Sequence, residues 1–431
     1  MAAGQLGERR RARSGRPGTG GSEPQNHRRR LPANQNRVPG VESGDAAAHR
    51  GAAASVHRGQ RRRSQSVDPH GRRGREGGAR AARAGVGVGP VIVRTRSLVG
   101  VWSAAMVLLV ASSALAVTIG PAALSVSDVY RIIGEHLGAG PSGATRLQDG
   151  IVWELRLPRV LLAAACGSGL ALCGAILQSL LRNPLADPFV LGVSSGASTG
   201  AVLVAVLGVG GGALTLSGGA FVGAVFAFSV VLVLAYASGG GTDKVVLAGV
   251  AGTQLFSALT SFIVLSSADA EQTRGVLFWL LGSLAGVAWS DVVTCGLVVC
   301  GGLAVCVFHA RTLDAFAFGH DAAATLGVSV LRARLVLMVV TALMTAALVS
   351  AAGAIGFVGL VLPHAARFVV GPDHRRLLPT VALLGAVFMV WVDTLARTVF
   401  APQELPTGVV TALLGVPAFA MILLRRRAGA R

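Results

Sequence analysis

From Leu98 onward the sequence is a succession of apolar runs, each near the roughly 20 residues that an α-helix needs to cross a bilayer. Ten helices are predicted, over about 98–118, 157–181, 188–208, 218–238, 244–266, 290–309, 333–352, 355–370, 377–399 and 408–424. A chain of 431 residues that is 52% hydrophobic and only 14% charged does not have soluble-protein composition, so an all-α polytopic membrane protein is expected. Gly and Ala take the place of much of the Leu and Phe of a soluble core, which favours close helix packing in lipid. The eighth run is short, and an extra turn at 275–285 holds Trp279; both read as half-helices or re-entrant pieces, tolerated at membrane depth where protein covers them or a cavity wets them.

One stretch, Arg156 to Ala201, shows how these runs are joined. Asn183 and Asp187 each precede a proline, Pro184 and Pro188, which pushes both out of the α region. One helix is therefore expected to stop near Leu181 and the next to begin near Pro188, with a tight polar break between them. Gly192, Gly196 and Gly200 recur every four residues and predict a packing seam along one helix face.

Charge is distributed unevenly. Residues 1–96 hold 21 of the 39 basic residues and 6 of the 20 acidic ones, a net of +15, which leaves the remaining 335 residues only +4. Residues 1–95, rich in Arg, Gly, Ser and Pro and without hydrophobic periodicity, are expected to form a disordered basic extension ahead of a membrane domain at 96–431. A basic arm can bind nucleic acid or anionic lipid; against this stands an extension with no function of its own, and no nucleic-acid partner is expected. Placement of Arg182, Lys244, Arg311, Arg332, Arg334, Arg367, Arg375 and Arg376 on one side of the spans predicts that both termini are cytoplasmic.

Several chemistries lack their residues. A P-loop needs GxxxxGK[ST], and the single lysine, Lys244, sits between Asp243 and Val245, so any ATPase has to be a separate subunit. An ion-coupled carrier keeps ionisable groups in mid-membrane, yet no charged residue occurs in 188–242, 335–363, 377–392 or 405–424. His364 is the one candidate for hydrolytic work; it stands beside Arg367 with no acidic partner within a turn, and reads better as a structural or interfacial histidine. The five cysteines lie in apolar stretches without a CxxC pair, and read as small buried hydrophobes rather than metal ligands. No catalytic residue, metal site or bound cofactor is expected.

The loop between His309 and Arg334 is too polar to cross a membrane and too regular for a linker. Gly319 separates two short helical pieces, and Ala322, Ala323 and Leu326 give the second a small apolar face beside Asp321 and Thr325, suited to another protein's groove. The other reading is a structured loop without a partner.

The ordered blocks Arg156-Leu-Pro-Arg159, Gly174 to Gln178, Arg182-Asn-Pro-Leu-Ala-Asp-Pro188, Leu191 to Gly196, Gly319 to Val328, Gly353 to Gly359 (with Gly356 inside it), Pro363-His364 with Arg367, Asp393 to Arg397 and Glu404 to Gly408 together resemble the permease subunits of ABC importers for ferric siderophores, haem and cobalamin. The resemblance implies a ten-helix type II importer permease in a bacterial cell membrane, working as a homodimer with two cytoplasmic ATP-binding subunits and one external substrate-binding lipoprotein. ATP and magnesium would then be used by the partner ATPase. It further implies that Gly319, His320, Asp321, Ala322, Ala323, Leu326 and Gly327 belong to the coupling helix that enters the ATPase. In the same way Arg156, Arg159 and Arg397 would meet glutamates of the binding protein; without the resemblance they read as interfacial anchors with solvated heads. The pathway is assigned by resemblance to helices near 244–266 and 408–424, with Thr253, Gln254, Ser257 and Thr411 as mild polar groups. Ferric siderophore is the expected cargo, with haem and cobalamin behind it; an ion-coupled secondary carrier and a non-transport scaffold are the readings from other classes.

Overall fold

The computed structural model of the chain describes residues 95–431 apart from Pro121, Ala123, Ala213, 267–269, 326–328 and 429–431. The extension expected over 1–95 therefore lies outside the described residues except for Thr95, which opens α1. Among the described residues the secondary structure is helical throughout. Seven segments are long and apolar enough to cross a membrane: α1 (Thr95–Thr118), the continuous run of α3 (Arg146–Asp149), a π turn (Gly150–Arg156) and α4 (Leu157–Leu180), then α6 (Leu216–Ala237), α7 (Thr242–Ser266), α9 (Trp289–Phe308), α12 (Val330–Ala352) and α14 (His374–Thr398). Three shorter apolar helices, α5 (Val193–Leu207), α13 (Val358–Val370) and α15 (Thr407–Ala428), complete a set of ten that falls on the ten expected spans.

The short helices occupy the bundle ends. They are α2 (Val126–His136), α8 (Ala270–Leu280), α10 (Ala310–Ala317) and α11 (His320–Thr325), with a 3-10 turn at Pro188–Leu191. Local chemistry sets their limits: Ser125 caps α2 by accepting from Asp128 N, Thr145 and Gln148 form a capping box ahead of α3, and Asp373 caps α14. The Trp279 stretch forms α8 and then reverses at Gly282, whose carbonyl accepts from Gly408 N at 3.2 Å, while Ser283 N donates to Ala352 O at 2.9 Å. The ends of α8 and α12 and the start of α15 are thereby tied together.

The helix α4 is the hub. Eighteen of its 24 residues are buried, so nearly every face of it is covered by protein. It packs against α14, α13, α9 and α12. Where α4 crosses α14, a Cβ on Gly167 would lie 2.0 Å from Gly385 O, so the two backbones touch only because neither carries a side chain there. α1 lies outermost and is pinned to α14 by two indole N–H groups, Trp102 to Thr380 Oγ1 at 3.0 Å and Trp391 to Ser112 Oγ at 3.1 Å. Four cysteines are buried as expected, but Cys300 is exposed, because it falls on the outward face of α9.

Candidate functional site

The polar residues gather at opposite ends of α4, which a 24-residue helix separates by about 36 Å. At its first end stand the three arginines, and they are not solvated heads. Arg156, Arg159 and Arg397 are 5%, 9% and 4% exposed. Arg156 donates from Nη1 to Val117 O and Thr118 O, both at 3.2 Å, and from Nη2 to Ala122 O at 2.7 Å. Val117 and Thr118 are the last residues of α1 and Ala122 lies in the loop that follows, and a side chain at Gly120 would collide with the guanidinium. Arg397 satisfies the same helix end with bonds to Ala116 O at 2.6 Å and Ile119 O at 2.9 Å. Arg159 Nε donates to Asp393 Oδ1 and Oδ2 at 3.0 and 3.1 Å and its Nη1 to Glu404 Oε2 at 2.9 Å. Arg397 Nε lies 3.6 Å from Asp393 Oδ2 and makes no hydrogen bond. The expectation of solvated charges is corrected here: unpaired carbonyls and two carboxylates draw the forks inward, where charge-assisted bonds offset the cost of burial.

These groups open to the surface through a recess of about 310 Å³, lined by Arg156, Arg159, Arg397 and Glu404 together with Leu155 and Leu284. Three guanidiniums against Asp393 and Glu404 leave the cluster one positive charge in excess. A carboxylate brought to the mouth would complete the neutralisation.

At the other end the polar break forms as expected. Asn183 Oδ1 accepts from Leu185 N at 2.9 Å, and Asp187 Oδ1 accepts from Phe189 N at 3.0 Å to cap the 3-10 turn that Pro188 opens; Pro184 is exposed on the loop. Burial pushes the Asp187 carboxyl up to about 6. Gln178 Nε2 donates to Gly359 O at 3.1 Å and its Oε1 accepts from Arg367 at 2.6 Å, joining α4 to α13. That join requires glycine, since a Cβ on Gly174 would lie 1.9 Å from Gly359 O. Pro363 and His364 are buried in α13, and His364 Nδ1 donates to Leu360 O at 2.9 Å, a structural arrangement. Gly196 and Gly200 form the expected seam, facing Gly223 and Gly219 of α6. Gly192 departs from it: with φ +73° it ends the 3-10 turn ahead of α5, so its role is the turn. Gly356 departs too, since a Cβ there would meet nothing within 4 Å.

The predicted coupling loop lies at this same end. Gly319, with φ +109°, does separate two short helices, α10 and α11. Leu326 and Gly327 lie outside the described residues, and His320, Asp321 and Ala322 are placed by the backbone of α11 alone. Ala323 is fully buried within this chain, so the expected outward face is corrected at that residue. Phe318, 79% exposed just before the glycine, is an outward apolar group of the described part of this loop.

A strut not anticipated from the sequence holds the loop. Asp314 Oδ1 of α10 accepts from both the backbone N of His374 at 3.1 Å and its Nδ1 at 2.6 Å, while His374 Nε2 lies 2.6 Å from Ser179 Oγ in α4. Partial burial would raise the Asp314 carboxyl, but the His374 bonds outweigh it and hold the group below its ordinary value. The connectivity is that of a hydrolytic triad. Ser179 Oγ, however, donates back to Ala175 O at 3.0 Å inside its own helix, so the three residues tie α10 to α4 and α14. Of the pathway residues, Gln254 and Ser257 are exposed on α7, while Thr411 is buried and donates to Gly408 O at 2.8 Å.

A ten-helix bundle with a basic recess at one end and a braced loop at the other is built as a membrane transport subunit. The chain belongs to the FecCD transport family, whose sequence profile matches residues 108–425. It is 46% identical over 284 residues to the cobalamin import system permease protein BtuC of Halobacterium salinarum, covering 64% of this chain and 74% of that one. It is 36% identical over 338 residues to the iron(3+)-hydroxamate import system permease protein FhuB of Bacillus subtilis, covering 78% and 86%. A solved ABC transporter described as of metal-chelate type, in an inward-facing conformation, superposes with a TM-score of 0.66 at 30% identity, over 76% of this chain and 99% of the other. The chain is thus a permease subunit of an ABC importer, a class that works with an ATPase and a substrate-binding partner.

Proposed function

We propose that this chain carries ferric siderophores inward as a homodimer, receiving them from an external substrate-binding lipoprotein at the arginine recess and driven by ATP-binding subunits that grip the α10–α11 loop. Both termini are then cytoplasmic and the arginine end is external. The observation that carries this reading is the placement of the two polar assemblies on opposite ends of the same helix: α4 bears Arg159 at one end and Ser179 at the other, so loop movement reaches the recess through one rigid, buried element. Binding-protein glutamates supply the carboxylate that the recess lacks, and Phe318 together with the exposed Ala324 supplies the anchor toward the ATPase.

The dimer reading rests on exposed apolar faces of α7 and α15, where Leu255, Leu259, Phe262, Leu413 and Val416 stand outside the bundle. Beside α15 an apolar groove of about 600 Å³ runs past Leu281, Ala354 and Val409, a weakly polar wall along which a bulky chelate passes without sticking. ATP and magnesium stay with the partner subunit. The siderophore cargo is supported by the hydroxamate relative and by the metal-chelate transporter; the relative at 46% identity supports cobalamin as the second reading. In a strain lacking the chain, uptake of an iron-loaded hydroxamate is expected to fall to background and to return with the gene, while cobalamin and haem uptake stay unchanged. Return of cobalamin uptake alone would establish the second reading instead.

A further inference from the structure

At the loop end of the bundle, away from both assemblies, a cleft of about 270 Å³ opens between the end of α6, the turn at Gly239–Gly240 and the start of α12. Leu232, Val245, Leu335 and Met338 make its walls apolar, and Arg334 is the charged residue among its lining. Arg334 Nη1 donates to Gly240 O at 3.1 Å, which fixes the guanidinium in place. Its Nη2 is buried and has no hydrogen-bond partner, and no carboxylate pairs with the side chain among the described residues. Buried N–H groups are nearly always satisfied, so a fixed cation that lines an apolar cleft with one donor unpaired inside the protein is short of an acceptor.

Depth decides what kind of anion fits. Arg334 lies one turn inside the start of α12 at Val330, and its guanidinium reaches the turn between Ala237, where α6 ends, and Thr242, where α7 begins, at the level where headgroups meet acyl chains. A small inorganic anion would gain one fork and lose its hydration against leucine and valine. An anionic phospholipid gains the same fork for its phosphate and buries an acyl chain along the walls. We propose that this cleft is a binding site for one anionic phospholipid, with the phosphate at the partly exposed Arg334 guanidinium and a chain against Leu335 and Met338; the orientation given above puts it in the inner leaflet. The occupied site braces the α6–α7 turn against the helix that leaves the coupling loop.

The test is native mass spectrometry of the full chain in detergent, titrated in turn with phosphatidylglycerol, with phosphatidylcholine of the same chains and with inorganic phosphate. Three variants are compared with wild type: Arg334→Gln, Arg334→Lys and Leu335→Trp, the last at a half-exposed lining position where a larger ring takes up cleft volume and leaves the charge in place. Wild type is expected to prefer phosphatidylglycerol by about five- to tenfold, Arg334→Gln to lose that preference, Arg334→Lys to keep part of it, and Leu335→Trp to weaken phosphatidylglycerol with the charge intact. Equal lipid preference in wild type and Arg334→Gln would overturn the site. Phosphate binding that matches phosphatidylglycerol and ignores Leu335→Trp would overturn the lipid in favour of a small anion.

Discussion

Asp393 is 1% exposed, holds Arg159 through both carboxylate oxygens and lies against Arg397, so it is the counter-charge that lets two arginines be buried at once. Asp393→Ala leaves both guanidiniums without it, and removing one partner of a buried pair costs about 3–5 kcal/mol. The expected outcome is a large fall in the melting temperature of the detergent-solubilised chain; an unchanged melt would mean that the carbonyls of α1 suffice. Glu404 is the half-exposed member of the cluster, and Glu404→Gln raises the excess charge of the recess from one to two. Association of the binding protein is then expected to become faster at low salt and to fall more steeply with ionic strength; an unchanged salt slope would place docking elsewhere. At this scale the positions of the arginines were legible in the sequence and their state was not. Asp393 and Arg397 are four residues apart on one helix, a visible pairing, but Arg159 is 234 residues from Asp393, and only the fold closes that distance.

Among the elements, the spans were the most legible, because a 20-residue apolar run has few ways to fold in lipid. Short polar elements were the least. α2, with its Ser125 cap, is too short and mixed to register as a span, and α11, at six residues, is too short for periodicity to show which face turns inward. Ala323 was therefore expected to face a partner, and instead packs inside the chain. Phe318 carries the testable consequence. Phe318→Asp puts a charge where the exposed ring stands and is expected to reduce recovery of the ATPase with the permease by about tenfold or more, as loss of an aromatic anchor does. Permease abundance should be unaffected, since the Phe318 side chain is 79% exposed. Ala323→Arg, by contrast, is expected to lower permease abundance itself, so the two variants separate docking from folding.

Over the whole molecule, one buried helix joins a recess that is short of one negative charge to a loop braced by Asp314, His374 and Ser179. Under the proposed function such an arrangement passes a push from one side of the membrane to the other. If residues 1–95 are an extension outside the transport domain, a chain beginning at Val91 is expected to transport as the full chain does, and loss of uptake at normal membrane abundance would contradict this. The most direct measurement is accumulation of a radiolabelled ferric hydroxamate in proteoliposomes holding the permease with its ATPase, with loaded binding protein on one face and ATP on the other. Accumulation is expected to require ATP, to stop when the P-loop lysine of the ATPase is replaced, and to persist after a protonophore collapses the proton gradient. Accumulation that survives loss of ATP hydrolysis and follows the proton gradient would contradict the account and identify an ion-coupled carrier.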